Sequence, residues 1–141
     1  MIEITTYKNE HFLGVEALWT EAFPDDASWN KASVAIPEKL CFQPELMLVA
    51  LEDSLVIGSA MAGYDGHRGW ISRIAVRSAH RHRNIGRALL GEAEKRLAAL
   101  GCIKVNLQVV EHNSSVVDFY KDAGYDVEPR ISMSKRLCTK A

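Results

Sequence analysis

The residues best suited to chemistry lie in one basic turn, Arg81-His82-Arg83-Asn84-Ile85-Gly86-Arg87. It follows a β-branched run ending Ile74-Ala75-Val76, and Leu89, Leu90, Ala93, Leu97 and Leu100 come after it at helical spacing. A strand that turns directly into a helix leaves the first helical N–H groups without intrahelical partners. The helix dipole adds partial positive charge at the same point. With several arginines alongside, such a turn is suited to holding a phosphate anion. Asn84 lies within the turn, and asparagine is the non-glycine residue that best tolerates left-handed backbone angles.

Other constellations are weaker. His80, His82 and His112 lack acidic or thiol partners at metal-binding spacing, so no metal is expected. The run His80-Arg81-His82-Arg83 is a single basic cluster without interleaved aromatics in a chain of net charge -1, which argues against nucleic acid as a partner. The turn is not Gly-x-Gly-x-x-Gly, and no Gly-Lys-Ser/Thr loop is present, which disfavours dinucleotide and nucleotide-hydrolase folds. Asn113-Ser114-Ser115 is formally a glycosylation sequon, but with no secretory signal at Met1-Ile-Glu-Ile-Thr it reads as a helix cap.

The elements that must position the turn follow from pattern. Residues 2–7 alternate weakly and predict a first strand, and Phe12, Val15, Leu18, Trp19 and Ala22 form one face of a helix over residues 10–22. Phe23-Pro24-Asp25-Asp26 breaks it. A second helix is expected over residues 29–40, capped by Ser28 or Asp26 and interrupted by Pro37. Trp19, Phe23 and Trp29 are either core residues or one wall of a substrate cleft. Residues 46–51, 55–64 and 70–76 predict three strands of an antiparallel meander, with turns at Glu52-Asp53-Ser54 and Asp65-Gly66. The helix after the basic turn should carry a Glu92–Arg96 pair and stop at Gly101. Residues 103–110 alternate as a strand. A helix opening at Asn113, with Ser115 and Asp118 spaced as a capping box, should stop at Gly124. One or two last strands are expected over residues 125–136, kinked by Pro129.

This predicts an α/β fold with a mixed, mostly antiparallel sheet and helices on both faces, in a single domain over residues 1–141. The 48% hydrophobic and 25% charged residues are those of an average globular protein. The odd, scattered Cys41, Cys102 and Cys138 argue against a disulfide framework, and no run is long enough to cross a membrane. A cytoplasmic protein is expected, with homodimerisation open.

The order of elements, with these motifs, resembles the GNAT superfamily of N-acetyltransferases. Its cofactor signature is matched by Arg81-His82-Arg83-Asn84-Ile85-Gly86, with Asn84 departing from the usual glycine. A second signature is matched by Asn113, Phe119-Tyr120 and Gly124-Tyr125. The segment Gly63-Tyr-Asp-Gly-His-Arg-Gly69 and the ending Ser134-Lys-Arg-Leu137 are further similar to the YpeA-type bacterial members.

The resemblance implies that the cofactor is acetyl-CoA. Its pyrophosphate would sit on the N–H groups of His82, Arg83, Asn84, Ile85, Gly86 and Arg87, with the side chains of Arg81, Arg83 and Arg87 adding charge there or reaching the ribose phosphate. Its pantetheine arm would run along Ile74, Ala75 and Val76 and bond Asn113. A backbone N–H near Val76 would steady the oxyanion, and Tyr120 would protonate the departing sulfur; with an ordinary pKa of about 10 it is a donor at neutral pH. Relatives that acetylate protein N-termini carry a glutamate where this chain has Gln108, and an amide cannot accept the proton. Arg73 cannot act as a base either, and Glu111 and His112 are nearby candidates. The expected activity is therefore acetyl transfer to a primary amine, more readily a small molecule than a protein N-terminus. A non-catalytic acyl-CoA-binding module on the same fold is the alternative, and a small nucleic-acid-binding domain a distant third.

Overall fold

Strand β1 is formed by Ile2–Thr6, and a single 3₁₀ turn leads from it into helix α1, Phe12–Ala22. That turn is fixed by His11, whose Nδ1 accepts the Lys8 N–H at 3.0 Å. Helix α2 is Ala32–Leu40, followed by β2 (Met47–Glu52), β3 (Leu55–Tyr64) and β4 (Arg68–Val76). Helix α3 spans Ile85–Ala99, β5 Lys104–Leu107 and α4 Ser114–Asp122. This computed structural model describes residues 1–110 and 113–138, in two compact units, Met1–Leu107 and Gln108–Ala141.

In the first unit the sheet order is β1-β2-β3-β4-β5, antiparallel except for the parallel β4–β5 pair. The parallel pair results from the α3 crossover, since a strand can return parallel only through a long connection. Tight turns set the register of the meander. Asp53 and Ser54 both take positive φ between β2 and β3. Between β3 and β4, Gly66 does the same while the Asp65 carboxylate accepts the N–H groups of His67 and Arg68, each at 2.8 Å. Those two bonds hold the Asp65 carboxyl below the usual carboxylate range.

One face of the sheet packs Met47, Val49, Val56 and Ala75 against Val15, Leu18 and Trp19 of α1 and Ile36 of α2. The opposite face receives α3 through Leu89, Leu90, Ala93 and Leu97, all buried. Glycines permit both close approaches. A Cβ at Gly14 would lie 2.8 Å from the Val56 side chain, and one at Gly58 would lie 2.9 Å from Leu89 Cδ1. Along α3, Arg96 Nε meets Glu92 Oε2 at 2.9 Å while its guanidinium also donates to Thr6 Oγ1 of β1, and Gly101 ends the helix region at φ 97.

Several sequence-based expectations change. Pro37 lies inside α2 rather than interrupting it, and the helix begins at Ala32 with Lys31 as N-cap. Neither Ser28 nor Asp26 caps it: Ser28–Asn30 is a separate 3₁₀ turn, and the Asp26 carboxylate pairs with Arg73. Strand β5 is only four residues. In the second unit the Ser115–Asp118 capping box does not form; the Ser115 hydroxyl bonds Asn113 Oδ1 instead. Gly124, at φ 98, closes α4 as expected. Residues 125–138 carry no strand, because Pro129 removes a ladder donor midway through the expected run.

Gly58→Ala should destabilise the fold by about 1–3 kcal/mol, because Leu89 and the Ala75 carbonyl bound the space a methyl needs. Urea denaturation measures this. A midpoint equal to wild type would mean that Gly58 does not set the spacing of α3 from the sheet.

Candidate functional site

The site begins at an irregularity in β4. Ser59 of β3 pairs with Ala75, but Met61 pairs with Ser72, so two residues of β4 face one of β3. The extra residue is accommodated at Arg73, whose φ of 57 is left-handed. Its carbonyl, turned out of the ladder, accepts the hydroxyl of fully buried Ser59 at 2.8 Å. The same Ser59 oxygen accepts the indole N–H of Trp19 at 2.9 Å.

The bulge decides which donors face outward. The Arg77 N–H bonds the Ile57 carbonyl at 2.8 Å, so alternation turns the Ala75 N–H toward β3 as well. The N–H groups of Ile74 and Val76 therefore point to the other edge. There β5 pairs only with Arg68 to Ile71 and ends at Leu107, so that among the described residues the second half of β4 has no strand paired on that side. An amide-rich extended ligand can add to such an edge as another strand.

Directly after β4 comes the basic turn. Its start is fixed by Arg77, through Nε to the Val56 carbonyl, and by the Glu21 carboxylate of α1, which accepts the Ser78 N–H at 2.9 Å. A 3₁₀ turn over Ser78–His80 follows, and then His82 and Asn84 take φ of 65 and 60. Asn84 is the N-cap of α3 in the left-handed conformation, without a side-chain capping bond. The first helical bond runs from the Ala88 N–H to the Asn84 carbonyl at 3.0 Å. Among the described residues, the N–H groups at positions 82–87 have no hydrogen-bond partner. A line of unpaired donors at a helix N-terminus is an anion-binding concavity.

The arginines divide into two kinds. Arg81 and Arg87 are exposed and have no side-chain partner among the described residues. Arg83 is committed: its guanidinium makes a two-pronged ion pair with Glu52, at the end of β2, and His80 Nε2 lies 3.4 Å from the same carboxylate. The Arg83 hydrogen bonds hold the Glu52 carboxyl below its usual range and raise the guanidinium in return. The Arg83 side chain thus ties the turn to β2, while its N–H stays among the unpaired donors.

The second unit holds the remaining expected residues. Asn113 is the N-cap of α4, and Tyr120 lies on that helix with edge-on ring contacts to Phe119 at 5.0 Å and Tyr125 at 5.8 Å. Burial pushes the Tyr120 phenol above its ordinary pKa. The Gln108 side-chain amide donates to the Ser132 hydroxyl. Glu111 and His112, the alternative bases, lie outside the described residues. Among the described residues no group of three His, Cys, Asp or Glu could hold a metal ion. No helix there is long and apolar enough to cross a membrane.

The profile of the Acetyltransferase (GNAT) family matches residues 12–125. The chain belongs to this family. An acetyltransferase of Yersinia pestis (strain Pestoides F) is 38% identical over 136 residues, covering 96% of both chains. Among solved structures, the PaiA N-acetyltransferase of Thermoplasma acidophilum in complex with coenzyme A has a TM-score of 0.79 at 24% identity, over 93% of both chains. Aminoglycoside N-acetyltransferase AAC(6')-Iy in complex with CoA has a TM-score of 0.78 at 17% identity, over 98% of this chain and 96% of that one. The chain is accordingly an acyltransferase of the GNAT fold.

Within this GNAT domain the site is supported by Ser59, Asp26, Glu21 and Glu52, in roles that the sequence did not announce. Their partners lie 14, 47, 57 and 31 positions away, and no local pattern announces pairs so distant. Of the three aromatics weighed as core or cleft, Trp19 is core, Phe23 partly buried and Trp29 exposed.

The left-handed Asn84 gives a direct test. Asn84→Val puts a β-branched residue where only glycine or asparagine is comfortable and should cost about 1–2 kcal/mol, whereas Asn84→Gly should leave stability equal or higher. Thermal melts of the three proteins decide it. A valine variant as stable as wild type would show that the turn does not need the left-handed residue.

Proposed function

We propose that the chain transfers the acetyl group of acetyl-CoA to a primary amine, directly within a ternary complex. The observation that carries this reading is the continuity of donors. The outward N–H groups of Ile74 and Val76 lead straight into the unpaired N–H groups at positions 82–87. An amide-rich arm ending in a pyrophosphate is complementary to that sequence of groups, and acetyl-CoA has this form. The CoA complexes of the two structural neighbours, and the acetyltransferase relative, support the same cosubstrate.

In the reaction the neutral amine nitrogen attacks the thioester carbonyl carbon, the C–N bond forms, and the carbonyl oxygen gains negative charge. The Val76 N–H, facing the open edge, is the donor assigned to that oxygen. A preorganised donor of this kind is worth roughly 2.7–4 kcal/mol of barrier. As the C–S bond breaks, Tyr120 gives its phenolic proton to the thiolate, and the amide nitrogen loses its extra proton to water. The Gln108 amide accepts no proton in this range. An acceptor that arrives already neutral, or that loses its proton through water, is consistent with that, and a small amine suits it better than a protein N-terminus. Asn113 is assigned to the pantetheine arm, and Arg81 and Arg87 to the phosphates.

Calorimetry with acetyl-CoA should show binding that Gly86→Asp weakens roughly tenfold or more, because a carboxylate enters the anion site; unchanged binding would sink the cofactor assignment. Tyr120→Phe should lower amine-dependent thiol release by about 10²–10⁴-fold. Its pH behaviour follows from the raised phenol. Below the ordinary value of 10.0 the folded phenol keeps its proton and can act as the acid, so the thiol-release rate should show no alkaline loss from this group until above that value. A fall centred near neutrality that disappears in Tyr120→Phe would contradict the assignment. If no amine in a broad panel releases thiol from a protein that binds acetyl-CoA, the acyl-CoA-binding module is the better reading.

A further inference from the structure

We infer that Arg73 is a positioning residue for acyl transfer, acting through a side-chain latch that fixes the bulge of β4. The inference rests on the acetyltransferase reading above and concerns how this chain holds its reacting edge in place. Arg73 occupies left-handed backbone space, where an arginine has no intrinsic preference. Something must hold it there, and its own side chain does so.

The guanidinium lies over the Trp19 ring at 5.0 Å and the Phe23 ring at 4.6 Å. Its NH2 nitrogen meets the Asp26 carboxylate at 2.8 Å and donates to the Asn30 carbonyl at 3.0 Å. Both members of the ion pair are largely buried, with side-chain exposures of 12% and 17%, so solvent screens the contact far less than on an open surface. Beneath it the Trp19–Ser59–Arg73 chain of hydrogen bonds satisfies the displaced carbonyl. One residue is thus held at its backbone by β3 and at its tip by the segment joining α1 and α2.

The consequence concerns parity. A bulge adds one residue to β4, so it determines which alternate N–H groups face the open edge. With the bulge, Ile74 and Val76 face outward, while Ala75 and Arg77 face β3. Were Arg73 to relax into the β region and the bulge to close, the register would slip by one residue and the outward set would change. The oxyanion donor would then be directed into the sheet. Arg73 touches no reacting atom; it acts by keeping Val76 correctly turned. The latch also ties Asp26 and Asn30 to the same point, so the segment between α1 and α2 and the transfer edge are positioned together.

Two variants, Arg73→Met and Asp26→Asn, and their double mutant test this. Amide hydrogen exchange by NMR on the free protein reads the parity directly: in wild type, Ala75 and Arg77 should exchange slowly and Ile74 and Val76 quickly. In Arg73→Met this alternation should be lost or inverted. Thiol release from acetyl-CoA should then show kcat lowered roughly tenfold or more, with acetyl-CoA affinity by calorimetry within about threefold of wild type. Asp26→Asn should move kcat the same way, and the double mutant should be little worse than the worse single, since both act through one ion pair.

An alternation that persists in Arg73→Met overturns the inference whatever the activity. If Arg73→Met does not fold, the exchange pattern and kcat of Asp26→Asn decide in its place, and a wild-type pattern with wild-type kcat overturns it. Absence of turnover by the wild-type protein, by contrast, would count against the acetyltransferase reading and leave the exchange result to judge the latch.

Discussion

A buried hydroxyl between two elements governs the geometry of this domain. Ser59 receives the Trp19 indole N–H and gives its own proton to the Arg73 carbonyl. Without that second bond the bulge would leave a carbonyl turned out of its ladder beside a fully buried side chain, a costly arrangement. With it, the sheet can carry an extra residue at its centre. Helix α1 supplies the indole, β3 the hydroxyl and β4 the carbonyl, so the chain brings three elements to one point. The open edge beyond β4 and the direction of its donors both follow.

The basic turn is built on a different balance. Its main-chain donors are neutral dipoles fixed by two left-handed residues, His82 and Asn84, and by two carboxylates. Glu21 holds the entry through the Ser78 N–H, and Glu52 holds the middle through Arg83 and His80. Carboxylates so near the proposed phosphate site would be unfavourable if they faced it unpaired. Here Glu52 is neutralised by its partners, and Glu21 is occupied by a backbone N–H. The turn therefore holds its shape before any ligand arrives, which reduces the ordering cost of binding.

How much of this was legible beforehand divides along physical lines. Periodicity and turn chemistry located α1, α3 and the meander, because an amphipathic face and an Asp-Gly turn are encoded by neighbours in the chain. The left-handed tolerance of asparagine made the turn at Asn84 readable for the same reason. Arg73 was not readable. Its backbone angle results from a hydroxyl 14 positions away and an ion pair 47 positions away, and an arginine in a β-branched run looks like any strand residue. The strand expected over residues 125–136 had the right alternation, but Pro129 cannot donate to a ladder. At Pro37 the opposite occurred, since the surrounding helix α2 absorbs the residue that local rules read as a break.

The commitment of Arg83 to Glu52 bears on ionic strength. A phosphate held mainly by mobile lysines and arginines loses affinity as salt screens each contact, whereas one held by main-chain dipoles at short range is screened much less. Among the described residues, Arg81 and Arg87 extend as exposed, uncommitted charges beside the turn. An anion held as proposed would be gripped locally and geometrically rather than by a broad electrostatic field, which fits a chain whose overall charge is close to neutral. Such a turn keeps its hold as the salt around it changes.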